Sequence, residues 1–268
     1  MNKQSGLSMV ELLVALAISS FLILGITQIY LDNKRNYLFQ QGQSSNIENG
    51  RYTLLILDQE LAKAGYRREP DSLAEFVFPA QDTESCAFNP GQVVKFLSAT
   101  SFCIRYEPAF NGTRDCEGNN VVDIPDSPYT RYSGVPIVAK FEFDASSGEL
   151  RCNNAAIADG LADLRFEFGV NTTNEKTVAT YKGTPASGDE IRSVRYFALA
   201  ASAAQLSDNR DSPAFKHWAA KYPAASEAAD ESPDSEETPG GSQVDIEAPD
   251  RKLYSLVGST TSMRNRLP

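Results

Sequence analysis

From Leu7 to Leu31 the chain passes through 25 residues that carry one full charge, Glu11. At a rise of ~1.5 Å per residue, such a run exceeds the ~30 Å hydrocarbon core of a bilayer, so it predicts a membrane-length helix. Asp32 to Glu48 is polar and rich in Gln and Asn. The helix is expected to continue through it, with a bend near Ser44, Ser45 and Asn46, whose side chains compete for backbone hydrogen bonds. Leu54, Leu57, Leu61 and Ala64 then recur at helical spacing and predict a face that packs on a sheet. Gly65 is placed to end the helix and Pro70 cannot continue it.

Beyond Pro70 the period falls to two. Ile137, Ala139, Phe141 and Phe143 alternate with Val138, Lys140, Glu142 and Asp144. Leu164, Phe166, Phe168 and Val170 alternate with Arg165, Glu167 and Gly169. Such alternation predicts half-buried antiparallel strands. Further strands are predicted over 92–97, 101–106, 148–152, 191–201 and 252–257, separated by Gly, Pro, Asn and Asp clusters. The sum is an α+β fold, one long helix whose C-terminal half packs on an antiparallel β-sheet head. The segment 207–250 contains Pro213, Pro223, Pro233, Pro239 and Pro249 and lacks the apolar density to bury itself. It predicts a mobile acidic insertion between the last two strands, opening on a short helix, PAFKHWAAKY, anchored by Trp218.

Charge sharpens that reading. The formal net charge is −10, but nine acidic residues and no Lys or Arg lie between Lys221 and Arg251. Without them the chain is nearly neutral, which gives no support for direct nucleic acid binding. No GxSxG, HExxH, P-loop or GxGxxG context occurs, and the single histidine, His217, reads as an ordinary side chain beside Trp218. The acidic segment lacks the alternating ligand pattern of a calcium loop. No enzymatic activity, metal or cofactor is expected. Tyr129, Tyr132, Phe141, Phe143, Phe166 and Phe168 are expected in the core and on the sheet surface.

A secretory signal has a basic start, a short apolar centre and a small-residue cleavage site after it. Here the apolar run is too long, Lys3 is the only early basic residue, and Gly6 precedes the run. The segment MNKQSG followed by LSMVELLVALAIS resembles the type IV pilin leader, with Leu where that family most often has Phe. The resemblance implies cleavage after Gly6 by a prepilin peptidase and N-methylation of the new terminus, Leu7. It also implies pairing of Glu11 with the N-terminus of a neighbouring subunit. The stretch NIENGRYTLLILDQELAKAGYRR resembles the PilW group of minor pilins, as do GLADLRFEFGVNT (160–172), SVRYFALAAS (193–202) and LYSLVGSTTSMRNR (253–266). The domains implied are a leader (1–6), a transmembrane and pilus-core helix (7–31), its periplasmic continuation (32–66) and a β-rich head (70–268), together a type IV pilin-like fold.

The implied partners are other minor pilins and the major pilin, the prepilin peptidase and the inner-membrane pilus assembly machinery. The implied location is the inner membrane with the head in the periplasm, then the pilus fibre or tip. A pseudopilin of a type II secretion system shares much of this layout, and a signal-anchored periplasmic module binding calcium or glycans is a further alternative. With an export signal in front, Cys86, Cys103, Cys116 and Cys152 read as disulfides. Of three pairings, Cys86 with Cys103 and Cys116 with Cys152 is preferred, with buried free thiols as the alternative.

Overall fold

The computed structural model describes residues 8–83, 86–127, 129–171, 177–206, 211–223, 248–263 and 265. Helix α1 (Met9–Lys63) is 55 residues long, on the order of 80 Å. Ser8 caps it, its Oγ accepting the Val10 amide at 3.4 Å. The helix runs uninterrupted through Ser44, Ser45 and Asn46. Asn46 does not compete with its own backbone there; it donates Nδ2 to the Leu253 carbonyl at 2.7 Å. After Lys63 the chain turns at Gly65, whose φ of +71° is costly for any residue with a Cβ. The Gly65 amide donates to the Arg105 carbonyl at 2.9 Å, which ties the helix end to the head.

The head contains α2 (Ala74–Val77), β1 (Gln81–Thr83), β2 (Cys86–Phe88), β3 (Val94–Ser98), β4 (Ser101–Tyr106), β5 (Ile137–Asp144) and β6 (Glu149–Cys152). It continues with β7 (Ala155–Ala158), β8 (Leu161–Asn171), β9 (Thr180–Lys182), β10 (Glu190–Gln205), α3 (Pro213–Lys221) and β11 (Lys252–Ser262). The predicted strands are present, and β1, β2, β7 and β9 join them. Those four are only three or four residues long, too short for alternation to register.

The strands form more than the one sheet the alternation suggested. A four-stranded sheet has the order β11-β10-β8-β9, a five-stranded sheet the order β3-β4-β5-β6-β7, and β1 and β2 form a separate pair. All pairings within the three are antiparallel. The two larger sheets meet through phenylalanines: Phe102 and Phe166 rings lie 4.7 Å apart, Phe96 and Phe168 5.4 Å, both edge to face. Leu57, Leu61 and Ala64 of the helix complete the same core. Phe141, Phe143, Phe166 and Phe168 are buried there as expected, but Tyr129 is 74% exposed. It lies in the irregular segment between β4 and β5, outside any alternating strand that would turn it inward.

Candidate functional site

The N-terminal half of α1 is the surface that needs explaining. Glu11 stands exposed in its first turn, where a carboxylate complements the positive end of the helix dipole. Gly6 and Leu7, the residues of the implied cleavage and methylation, lie outside the described residues. The most apolar 18-residue stretch of α1 has a mean hydropathy of 2.4, and none of it is buried within the molecule. Met9, Phe21 and Leu24 are 84%, 76% and 68% exposed. A contiguous apolar surface of this size is stable only when lipid or other helices cover it.

The C-terminal half of α1 is fixed to β10 and β11 by polar and steric devices. Asp58 interrupts the apolar stripe: its Oδ1 accepts the Tyr196 hydroxyl at 2.6 Å and the Thr261 hydroxyl, and its Oδ2 accepts Ser259 Oγ at 3.4 Å. Burial, and then this carboxylate, push the Tyr196 hydroxyl well above the ordinary phenol range. At Gly50 a Cβ would lie 3.0 Å from Val257 Cγ1, so the glycine permits the close approach of helix and β11. Asn265 closes the junction by donating Nδ2 to the Ala62 and Ala64 carbonyls at 3.0 and 3.1 Å.

Two buried arginines organise the loops. Arg68 follows the helix end and donates to the carbonyls of Thr130 at 2.9 Å, Pro125 at 2.8 Å, Ser127 at 2.7 Å and Ala109. Its amide donates to Glu107 Oε2 at 2.7 Å. Arg105, wholly buried, donates to the carbonyls of Pro79 at 2.6 Å, Asn89 at 2.7 Å, Phe78 at 3.1 Å and Gln92. Its guanidinium also lies 4.7 Å from the Phe88 ring centre. Guanidinium groups suit this task because their fork of donors is fixed and permanently charged. Cys86 is bonded to Cys103 and Cys116 to Cys152, with Cα separations of 6.3 and 6.0 Å. Both bonds anchor the irregular segments that the two arginines hold.

Helix α3 covers the outward face of β8 and β10. Trp218, 5% exposed, donates Nε1 to Asp163 Oδ2 at 3.1 Å. Glu167 binds Lys221 at 3.1 Å, the Tyr222 hydroxyl at 2.9 Å and Arg195 at 2.6 Å. Burial alone would raise the Glu167 carboxyl; these three donors outweigh it and hold the group below the usual carboxylate range. His217 is exposed on α3. Residues 224–247, the most acidic part of the insertion, lie outside the described residues. Among the described residues no group of three or more His, Cys, Asp or Glu side chains is placed to hold a metal ion.

Sequence reasoning overlooked Asp58, Arg68 and Arg105. Asp58 did leave a signal, a carboxylate four residues after Leu54 on the stripe that was read as apolar. The two arginines left none, because their partners are main-chain carbonyls scattered from Phe78 to Thr130.

Residues 1–27 match the prokaryotic N-terminal methylation motif. A search of curated proteins returns no match. Among solved structures the chain is similar to a type IV-like pilin from Thermus thermophilus, at 12% identity and a TM-score of 0.41, covering 83% of this chain and 97% of that one.

Proposed function

We propose that this chain is a PilW-like minor pilin with a structural role and no catalytic one. It is made as an inner-membrane prepilin, cut between Gly6 and Leu7 and methylated at Leu7. The head lies in the periplasm before assembly. It then joins a minor-pilin complex that primes a type IV pilus and sits at its tip, in support of motility, adhesion or DNA uptake. The observation that carries this reading is a methylation motif joined directly to an apolar helix that the head leaves bare. By this reading the amine at Leu7 of one subunit pairs with the Glu11 carboxylate of a neighbour, and the two positions are four apart in the sequence. In a low-dielectric helix bundle such a pair is strong when satisfied and costly when not, so it sets register between helices.

The test is intact-mass measurement of the protein from cells with an active prepilin peptidase. The expected mass lacks residues 1–6 and carries one added methyl group; Gly6→Leu should retain the full leader. Glu11→Val should be processed normally yet fail to enter pili. An unprocessed protein with Gly6 intact overturns the reading. Deletion of the chain should abolish pili; loss of exoprotein secretion with pili intact assigns it to a type II secretion system instead.

A further inference from the structure

Beside the Arg68 and Arg105 networks the head contains a cavity of about 860 Å³. Its walls come from the segment around α2 and from the segment that leads into β5. Among the residues lining it are Glu69, Phe76, Gln81, Glu107, Arg131 and Val135. The walls are fixed in advance. Arg68 holds Glu107 from one side, Arg105 holds the Pro79 carbonyl, and Gln81 Nε2 donates to the Pro136 carbonyl at 3.2 Å. A site whose walls are already ordered loses less entropy on binding.

One acceptor in this cavity is unused, whereas Glu69 Oε2 already accepts the Ser72 hydroxyl at 3.0 Å. Gln81 Oε1 is buried without a hydrogen-bond partner, and the Nε2 bond to Pro136 fixes which end of the amide it is. Glu107, 5% exposed, accepts the Arg68 amide at Oε2. Burial is the main force raising its carboxyl; the Arg68 amide and the Arg68 charge oppose it, Glu69 adds to it and Arg131 opposes it. Of the two cations, Arg131 is exposed at the cavity and Arg68 is buried beside Glu107. The rim is apolar: Phe76 is 71% and Val135 69% exposed. A polar centre ringed by exposed apolar side chains has the anatomy of a binding site.

We propose that this cavity receives a basic side chain carried on an extended, apolar-flanked segment of another protein. The ammonium or guanidinium supplies the donor that Gln81 Oε1 lacks and meets the Glu107 carboxylate, with Glu69 as the second counter-charge. Phe76 and Val135 cover the flanking apolar residues, and Arg131 takes a backbone carbonyl of the segment. A volume of this size suits a stretch of a few residues, where a lone cation would leave the apolar rim unused. The inference concerns the head and does not depend on the processing of residues 1–7.

The test is calorimetric titration of the detergent-solubilised full chain with three probes: Ac-Val-Lys-Val-amide, its norleucine analogue and its glutamate analogue. The lysine peptide should bind at least about tenfold more tightly than the norleucine peptide, and the glutamate peptide more weakly still. Glu107→Gln should remove the lysine preference while near-UV circular dichroism stays unchanged. Should that variant fail to fold, Glu69→Gln, at a half-buried position, should weaken lysine-peptide binding several-fold with the norleucine peptide unaffected. Equal binding of lysine and norleucine peptides, no binding at millimolar peptide, tighter glutamate binding, or an unchanged preference in Glu69→Gln overturns the proposal.

Discussion

Single residues decide this structure where irregular segments meet the sheets. Arg105 is the sharpest case, because its guanidinium takes the carbonyls of Phe78, Pro79, Asn89 and Gln92, which flank the β1–β2 pair. Arg105→Met keeps most of the volume and removes every donor. The Pro79 and Gln92 carbonyls would then lose the Arg105 donors, at about 1–3 kcal/mol each, while Phe78 and Asn89 keep the Gly91 and Gln92 amides. The expected loss is on the order of 3–5 kcal/mol, read as a lower urea midpoint, with a loss under about 1 kcal/mol counting against this role. Glu11 differs in kind. It lies in the first turn of α1, exposed and far along the chain from the head, so its substitution should leave head stability unchanged while changing assembly. The sequence announced Glu11 because a charge stands out in an apolar run. It could not announce Arg105, since an arginine in an alternating strand reads as solvent-facing.

At the scale of elements, helix and sheet meet by close approach rather than by apolar area alone. At Gly50 helix propensity and packing oppose each other. Gly50→Ala gains about 1 kcal/mol of helix propensity, while its Cβ presses on Val257 at a distance the neighbour must yield to. Gly50→Leu settles the balance, because overpacking of about 1–3 kcal/mol or more exceeds the propensity gain. It should lower the unfolding midpoint and loosen β11, seen as faster amide exchange from Leu256 to Ser259; unchanged exchange would contradict this account. The same contact explains why β11 runs to Ser262 although the alternation predicted only 252–257. Its polar end GSTTS reads as a turn until Asp58 of α1 is placed opposite Ser259 and Thr261.

For the whole molecule, cross-links and charge set the conditions under which the head persists. The bonds Cys86–Cys103 and Cys116–Cys152 span 17 and 36 residues. Loop-closure entropy makes the longer one more stabilising by ~0.7 kcal/mol, within a typical worth of 2–4 kcal/mol each. Replacing both cysteines of the Cys116–Cys152 pair by Ser should therefore lower the urea midpoint more than the same change at Cys86 and Cys103; the reverse order would show that strain or residual structure dominates. Acid acts through the carboxylates held low. Glu167 is held by Lys221, Tyr222 and Arg195, Asp189 by Lys182 and the Ala186 amide, and Asp144 down to about 2 by the Ser146 hydroxyl and amide. Their contribution is complete above the ordinary carboxylate range near ~4 and is lost as pH falls through their folded values. Glu107 runs the opposite way: its raised carboxyl costs stability as pH rises from the ordinary range through its folded value. Glu167→Gln should thus flatten the acid side of a stability-against-pH curve, and an unchanged acid limb would argue against the α3 contact. The apolar run, the change of period at Pro70 and the leader motif are local patterns, so the sequence by itself determined the long helix, the β-rich head and the N-terminal signal. The division into separate sheets, the role of Asp58, the two arginine hubs and the cavity beside them depend on groups far apart in the chain. Only the tertiary structure decided those, because burial and hydrogen-bond partnership are properties of what surrounds a residue and not of its neighbours in sequence.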